Sequence, residues 1–142
     1  MLTRVPQRTW GDCQIAVVAT VMGQPYTYER VLADQERYPK FNSDGSFSAW
    51  WETYLRDSGF RNEYRDLSDA DALIGNGEIG GILMLAPPTG RIGHVVAIDE
   101  CGFINPSTNW PERIPSLNDL VYEYSRLGVQ YLPEREFLAV WL

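Results

Sequence analysis

The spacing of apolar residues changes along this chain, and that change is its strongest constraint on the fold. Residues 13–22 carry apolar side chains at helical spacing, between a good N-cap residue, Asp12, and a natural stop residue, Gly23. Beyond residue 80 the apolar residues instead form short unbroken runs of the kind found in buried strands. We predict strands over residues 80–86, 94–99, 103–105 and 137–142. Helices followed by strands predict an α+β fold with an antiparallel sheet.

Further helices are predicted from capping residues and helix breakers. They cover residues 28–35, 49–57, 67–73 and 116–126. No repeat, linker or low-complexity segment divides the chain, and a length of 142 residues suits one hydrophobic core. We therefore expect residues 1–142 to form a single domain.

The composition excludes several classes of partner. With 44% apolar and 22% charged residues the chain has the balance of a folded globular protein. A net charge of −7 without any basic run argues against a nucleic-acid or anionic-membrane partner. The N-terminus lacks the apolar region of a secretory signal, and no apolar stretch approaches the roughly 18 residues of a membrane span. A cytoplasmic location is expected.

The two cysteines are expected to be free thiols. Cys13 and Cys101 could in principle pair, but a reducing cytosol disfavours a single disulfide. Two distant cysteines and one histidine do not have the spacing of a zinc site. Cys101 falls in a predicted hairpin turn, away from the helix that carries Cys13, so we expect it to take no part in any chemistry.

Cys13 is predicted to open the first helix, and Gln7 lies six residues before it. The unsatisfied N–H groups at a helix start lower the pKa of a thiol there, and a neighbouring imidazolium lowers it further. His94 is the only histidine, so any cysteine–histidine chemistry has to use it. A small buried core residue is the alternative interpretation of Cys13. The helix start and the preceding glutamine favour a nucleophile.

The hairpin that follows His94 indicates a partner for its ring. In a two-stranded register centred on the predicted turn, the numbers of facing residues sum to about 201. His94 then lies opposite the neighbourhood of Ser107, and Asn105 is one diagonal step away on the same face. The Asn105 amide oxygen could accept from the ring and fix its tautomer. Asn109 is the rival for this position, and Asp99 is predicted to face the other way.

Gln7 is the candidate for a second donor near the thiol. Its side-chain amide, together with the backbone N–H of Cys13, would make a two-donor oxyanion hole. An exposed polar residue on an N-terminal arm is the alternative interpretation. The spacing to Cys13 favours the oxyanion role.

Taken together, these residues resemble papain-like cysteine peptidases, and among them the small C39-like branch. The matching segments are Val-Pro-Gln at 5–7, Gly-Asp-Cys at 11–13, Gly-His-Val-Val at 93–96 and Ile-Asn-Pro at 104–106. They lie within residues 5–23 and 80–107. Three features depart from the pattern. Gln14 follows Cys13 where the branch often has glycine, a second cysteine that some members carry in the same helix is absent, and the hairpin between His94 and Asn105 is short. Residues 24–79 match no known segment.

The resemblance implies a papain-like fold, in which N-terminal helices, with Cys13 at the start of the first, pack on a C-terminal antiparallel sheet. It implies that Cys13 attacks a carbonyl as the thiolate, that His94 acts as base and then as acid, and that Asn105 orients His94. Gln7 and the Cys13 N–H would hold the oxyanion. The implied activity is cleavage of a peptide or isopeptide bond in a protein or peptide substrate, without a cofactor. Deamidation, acyl transfer and an inactive protein-binding domain are the alternatives.

Overall fold

Four helices and seven strands form the part of the chain that the structure describes. The structure is a computed structural model, and it describes residues 1–9, 11–45, 48–68, 79–86, 93–109, 111–126 and 132–142. The helices are α1 (Cys13–Met22), α2 (Tyr28–Gln35), α3 (Trp50–Asp57) and α4 (Leu117–Arg126). The strands are β1 (Arg61–Asp66), β2 (Gly80–Ala86), β3 (His94–Asp99), β4 (Gly102–Ile104), β5 (Arg113–Ile114), β6 (Leu132–Pro133) and β7 (Glu136–Trp141). None of the helices in this described part has the length and apolar character needed to cross a membrane.

The strands form one sheet in which every described pair is antiparallel. Their order is β1-β7-β2-β3-β4-β5, and β6 pairs with the end of β2. Sequence neighbours β2, β3 and β4 are also neighbours in space, as hairpin connections require. This architecture confirms the predicted α+β class with an antiparallel sheet.

Helices cover both faces of the sheet. The first three helices pack on one face, in a core cluster that includes Ile82 and Val95 from the strands. On the opposite face α4 contributes Leu120 to a second cluster, with Leu83 and Val96. Neighbouring residues of β3 therefore belong to different faces, because side chains alternate along a strand. The predicted packing of N-terminal helices on the sheet is present, and α4 adds a layer on the other side.

Most of the predicted elements have bounds within one residue of the predicted ones. The bounds of α1, α2, β2 and β3 are as predicted, and those of α3, α4, β4 and β7 differ by one residue at one or both ends. Of the predicted helix over residues 67–73, residues 69–73 lie outside the described part of the chain. The strands β1, β5 and β6 were not predicted.

An N-terminal arm, residues 1–9, is held against the rest of the fold by its backbone. The N–H of Leu2 donates to Asp99 Oδ2 at 2.8 Å, and the N–H of Val5 donates to Thr20 Oγ1 at 2.9 Å. Farther along, the N–H of Gln7 donates to the carbonyl oxygen of Pro106 at 2.9 Å. The last contact places the Gln7 backbone beside the segment that carries Asn105.

Candidate active site

Cys13 is the first residue of α1, and its side chain is 8% exposed. The helix is apolar on nearly all sides and packs on β3, so its first residue is drawn into the core. The backbone N–H of Val95 in β3 lies near the thiol and favours its ionised form. Because Val95 follows His94 in the chain, the structure places Cys13 beside the peptide bond that joins those two residues.

Burial raises the pKa of the Cys13 thiol above its usual value. The backbone N–H groups of Val95, Gln14 and Cys13 act in the opposite direction, as expected at a helix start, but burial outweighs them. The neighbouring Asp12 carboxylate raises the pKa further by charge repulsion. The expectation of a lowered thiol pKa was therefore wrong for this resting structure.

Asp12 occupies the N-cap position of α1, as predicted, but its side chain does not cap the helix. Instead Oδ2 accepts from the backbone N–H of Arg8 at 3.1 Å and from the hydroxyl of Tyr28. Burial, followed by the hydrogen bond to Asp12, raises the pKa of Tyr28 to about 12, so the phenol remains a donor. Asp12 thus links the arm that carries Gln7 to α2.

Gly93 sets the point at which β3 begins. A Cβ atom at this position would lie 2.0 Å from the carbonyl oxygen of Leu85 and 3.0 Å from its carbonyl carbon. No larger residue fits without moving the backbone of β2. Since Leu85 is the sheet partner of His94, the glycine allows β3 to enter the sheet with His94 as its first residue.

The hairpin brings His94 and Asn105 into contact in the predicted register. Ala97 faces Ile104 across the β3–β4 pair. The Nε2 atom of His94 lies 3.0 Å from Oδ1 of Asn105, and the Asn105 side chain is fully buried. The predicted diagonal contact is confirmed.

Two further hydrogen bonds fix the orientation of the Asn105 amide. Oδ1 accepts from the backbone N–H of Ser107 at 3.0 Å, and Nδ2 donates to the hydroxyl of Tyr124 at 2.9 Å. The atom facing His94 is therefore an acceptor, so Nε2 of the ring must carry the proton. The lone pair then resides on Nδ1, which is the ring nitrogen able to take up a proton.

Burial lowers the pKa of His94, and the hydrogen bond to Asn105 opposes this only in part. The ring is therefore a neutral imidazole near pH 7. Together with the raised pKa of Cys13, this gives a resting pair of thiol and imidazole in which both groups are uncharged.

His94 is the first residue of β3, and the neighbouring Val95 shares the core cluster of the α1 face with Cys13. The His94 ring packs edge-on against Tyr124 of α4, with ring centroids 5.9 Å apart. Direct proton transfer between the Cys13 thiol and the ring stays a prediction.

Gln7 is close to this region through its backbone, while its side chain is turned elsewhere. Its Nε2 atom donates to the carbonyl oxygen of Thr9 at 3.3 Å. Within the described residues its Oε1 atom is buried and makes no hydrogen bond. An amide with one unsatisfied buried oxygen gains from rotation, so an oxyanion role for Gln7 stays a prediction.

The rival residues have other positions. Asp99 forms a two-bond ion pair with Arg113, at 2.6 and 2.8 Å, on the end of β3 away from His94. Asn109 is exposed in a turn, so Asn105 is the described amide that contacts the ring. Both thiols are free, and Cys101 is exposed in the β3–β4 turn, as predicted.

Sequence reasoning missed two contributors to the site. Tyr124 holds Asn105 and packs on His94, and its spacing from the buried Leu120 on the amphipathic α4 was the available signal. Gln14, the residue that departs from the papain-like pattern, accepts through Oε1 from the indole of Trp50 at 2.7 Å. That contact connects the start of α1 to α3.

Exchange of Tyr124 for phenylalanine should destabilise the protein by about 1–3 kcal/mol, because a buried Asn105 donor loses its acceptor. The looser amide should also lower kcat while leaving KM nearly unchanged, since His94 loses its orientation but the substrate contacts remain. Urea unfolding and steady-state kinetics measure the two effects. The control is Tyr122→Phe on the same helix, where the side chain is 63% exposed. Equal behaviour of the two variants would contradict a positioning role for Tyr124.

The candidate site contains the buried thiol of Cys13 at the start of α1 and the imidazole of His94, in a defined tautomer, at the start of β3. The side-chain amide of Asn105 is held by three hydrogen bonds. No family model matches the chain, and comparisons with curated proteins and with solved structures also give no match.

Proposed function

We propose that this protein is a papain-like cysteine peptidase, a thiol hydrolase that cleaves a peptide or isopeptide bond. The observation that carries the proposal is the fixed tautomer of His94. Its Nε2–H is held by Asn105, which leaves Nδ1 as the base. The backbone N–H of Val95, the residue after His94, lies near the Cys13 thiol. A nucleophile, a base and an orienting group are the parts that thiol catalysis requires.

The proposed reaction begins with transfer of the Cys13 proton to Nδ1 of His94 as the substrate carbonyl approaches. The thiolate attacks the carbonyl carbon, and the negative oxygen is held by the backbone N–H of Cys13 and the side-chain amide of Gln7. The imidazolium then protonates the leaving amine, and an acyl-enzyme on Cys13 remains. Water, activated by the neutral His94, hydrolyses this thioester and regenerates the thiol.

The uncharged resting pair defines how this enzyme would respond to pH. His94 acts as a base only when it is neutral, and burial lowers its pKa below the ordinary value of about 6.5. We therefore expect kcat/KM to rise with pH through a pKa below 6.5 and to be level near neutrality. A resting thiolate–imidazolium pair is not expected, because burial disfavours both charges.

A second candidate is an inactive papain-like domain that binds another protein. The observation that favours it is the state of the thiol, which is 8% exposed and has a raised pKa. Such a domain would bind equally well with or without the Cys13 sulfur. Dependence of function on that sulfur therefore separates the two candidates.

Digestion of unfolded casein and of a mixed peptide library, with products identified by mass spectrometry, tests the proposal. Hydrolysis shortens peptides, deamidation changes their mass without shortening them, and transfer adds an amine supplied in the buffer. We expect shortened peptides, with the pH dependence given above. Cleavage that persists after complete alkylation of Cys13 by iodoacetamide would exclude it as the nucleophile.

A further inference from the structure

A cavity of about 350 Å³ lies on the face of the sheet that α1, α2 and α3 cover. Ile82, Met84 and Leu138 from the strands form its floor. Met84 pairs across the sheet with Val95, and the Cα atoms of such a pair are about 5 Å apart. The floor therefore begins one strand away from Val95, whose backbone N–H lies near the Cys13 thiol. A side chain of a substrate whose carbonyl is at Cys13 can therefore reach the cavity.

The wall of the cavity is aromatic. Trp51 of α3 and Tyr64 of β1 line it. Trp51 is 1% exposed and packs edge-on against Trp50, with ring centroids 6.0 Å apart, whereas Tyr64 is 46% exposed. Tyr64 is therefore the ring that a ligand reaches. Aromatic faces bind a cation as well as an apolar chain.

The mouth of the cavity is acidic. Glu134 and Glu136 line it from the segment before and at the start of β7. The backbone N–H of Glu134 donates to the carbonyl oxygen of Met84 at 3.0 Å, which fixes this segment over the floor. Burial raises the pKa of Tyr64, as do the hydrogen bond that its hydroxyl donates to the Glu52 carboxylate and the charges of Glu52 and Glu136. Negative potential therefore extends to Tyr64.

One cation also lines the mouth. Arg135 lines the mouth and also interacts with the Asp66 carboxylate. Hydrogen bonds from Ser68 lower the pKa of Asp66 most, and the charge of Arg135 lowers it further. The charge of Arg135 is therefore partly balanced outside the cavity, and the two glutamates leave a net negative charge at the mouth.

We propose that this cavity is the substrate subsite for a basic side chain, lysine or arginine, beside the bond to be cleaved; the inference rests on the proposed peptidase function. The apolar floor accommodates the methylene stem, the ring of Tyr64 contacts the cation, and the glutamates pair with it at the mouth. An apolar side chain would fill the floor but leave the acidic mouth without a counter-charge. An acidic side chain would be repelled.

Methyl signals of methionine test binding directly. The chain has three methionines, and Met84 is the one that lines the cavity, whereas Met22 is buried in α1. In the Cys13→Ala variant labelled with ¹³C-methyl methionine, acetyl-Ala-Lys-Ala-amide should shift the Met84 signal and leave Met22 in place. The matched tripeptide with norleucine, which has the same stem without the ammonium group, should bind about tenfold more weakly.

Charge-neutral variants test the acidic mouth. The double substitution Glu134→Gln and Glu136→Gln should weaken the lysine peptide about tenfold and leave the norleucine peptide unchanged. The control is Glu36→Gln with Glu112→Gln, two exposed glutamates away from the cavity, which should have no effect. Equal affinity for the lysine and norleucine peptides, or an unmoved Met84 signal with both, would overturn the proposal.

Failure of the subsite and failure of the proposed function give different results. If the wild-type protein cleaves casein but the lysine peptide does not move Met84, the peptidase proposal stands and the subsite is wrong. If the lysine peptide moves Met84 but no substrate is turned over, the cavity binds a basic side chain and its role as a substrate subsite is overturned together with the peptidase proposal.

Discussion

Exchange of Cys13 for serine is expected to reduce kcat by about 10³-fold or more, with the fold retained. The sulfur is the proposed nucleophile, and a hydroxyl in the same place ionises far less readily and attacks carbonyls more slowly. Serine is nearly the same size, and the N–H of Val95 can donate to its oxygen, so the buried position accepts it. Peptide cleavage and thermal unfolding, measured on the same preparation, check the two parts of this prediction.

Cys101→Ser is the matched control. Cys101 is exposed in the β3–β4 turn, and its backbone N–H donates to Asp99 Oδ1 at 2.8 Å, a bond that serine keeps. Its exchange should leave turnover unchanged and alter the free energy of unfolding by no more than about 0.5 kcal/mol. Loss of turnover in this variant, or full turnover in Cys13→Ser, would remove Cys13 from the role of nucleophile.

The rate of thiol labelling does not separate these outcomes. Because Cys13 is buried and its pKa is raised, iodoacetamide should label the exposed Cys101 first in the resting protein. Slow labelling of Cys13 is thus expected of an enzyme that moves the proton only when substrate is bound. Turnover of the single variants is the measurement that decides.

The β3–β4 hairpin could be predicted from sequence in detail because its determinants are local. The apolar run of β3, the tight turn at residues 100–101 and the alternation of side chains together define which residues face each other. That register placed Asn105 diagonally opposite His94, and the structure has the hydrogen bond. The helix start at Cys13 was equally local, because it depends on Asp12, Gly23 and the apolar residues between them.

The edge strand β1 could not be predicted from its own residues. It is the stretch Arg-Asn-Glu-Tyr-Arg-Asp, which has no apolar run, and its side chains are exposed or half-buried throughout. It becomes a strand because it pairs along its length with the apolar β7, so the information lies in a distant segment. The same holds for the role of Tyr124, which depends on α4 packing on the opposite face of the sheet from α1.

The pKa of Cys13 was predicted in the wrong direction for a related reason. A helix start lowers a thiol pKa through nearby N–H groups, and those groups are present. Burial depends on how α1 and β3 pack, and a linear sequence does not give that packing. The contact of His94 with Asn105 depends on the register of two neighbouring strands, which the sequence indicates. The face of the sheet on which Cys13 lies depends on how the helices pack on the strands.

The second large effect is expected at the other end of β3, where Arg113→Met should lower the free energy of unfolding at pH 7 by about 3–5 kcal/mol. The Asp99 side chain is fully buried, and Arg113 pairs with both of its oxygens. Arg113 Nη2 also donates to the carbonyl oxygen of Leu2 at 2.6 Å, so the variant releases one tether of the arm that carries Gln7. Urea unfolding measures this loss. The control Arg126→Met breaks an exposed ion pair with Glu123, and it should lower the free energy of unfolding by about 1 kcal/mol or less.

The pH dependence of that loss separates the charge interaction from packing. Burial acts to raise the pKa of Asp99, but the hydrogen bonds from Arg113, Cys101 and Leu2 outweigh it and hold the pKa below its usual range. The ionised Asp99 therefore contributes stability above the unfolded pKa of about 3.9, and that contribution disappears as the pH falls through the lower folded pKa. Wild type and Arg113→Met should thus differ most near neutral pH and converge in acid, where Asp99 is protonated in both. A difference that is the same at both ends of this range would show that Arg113 acts through packing and not through its charge.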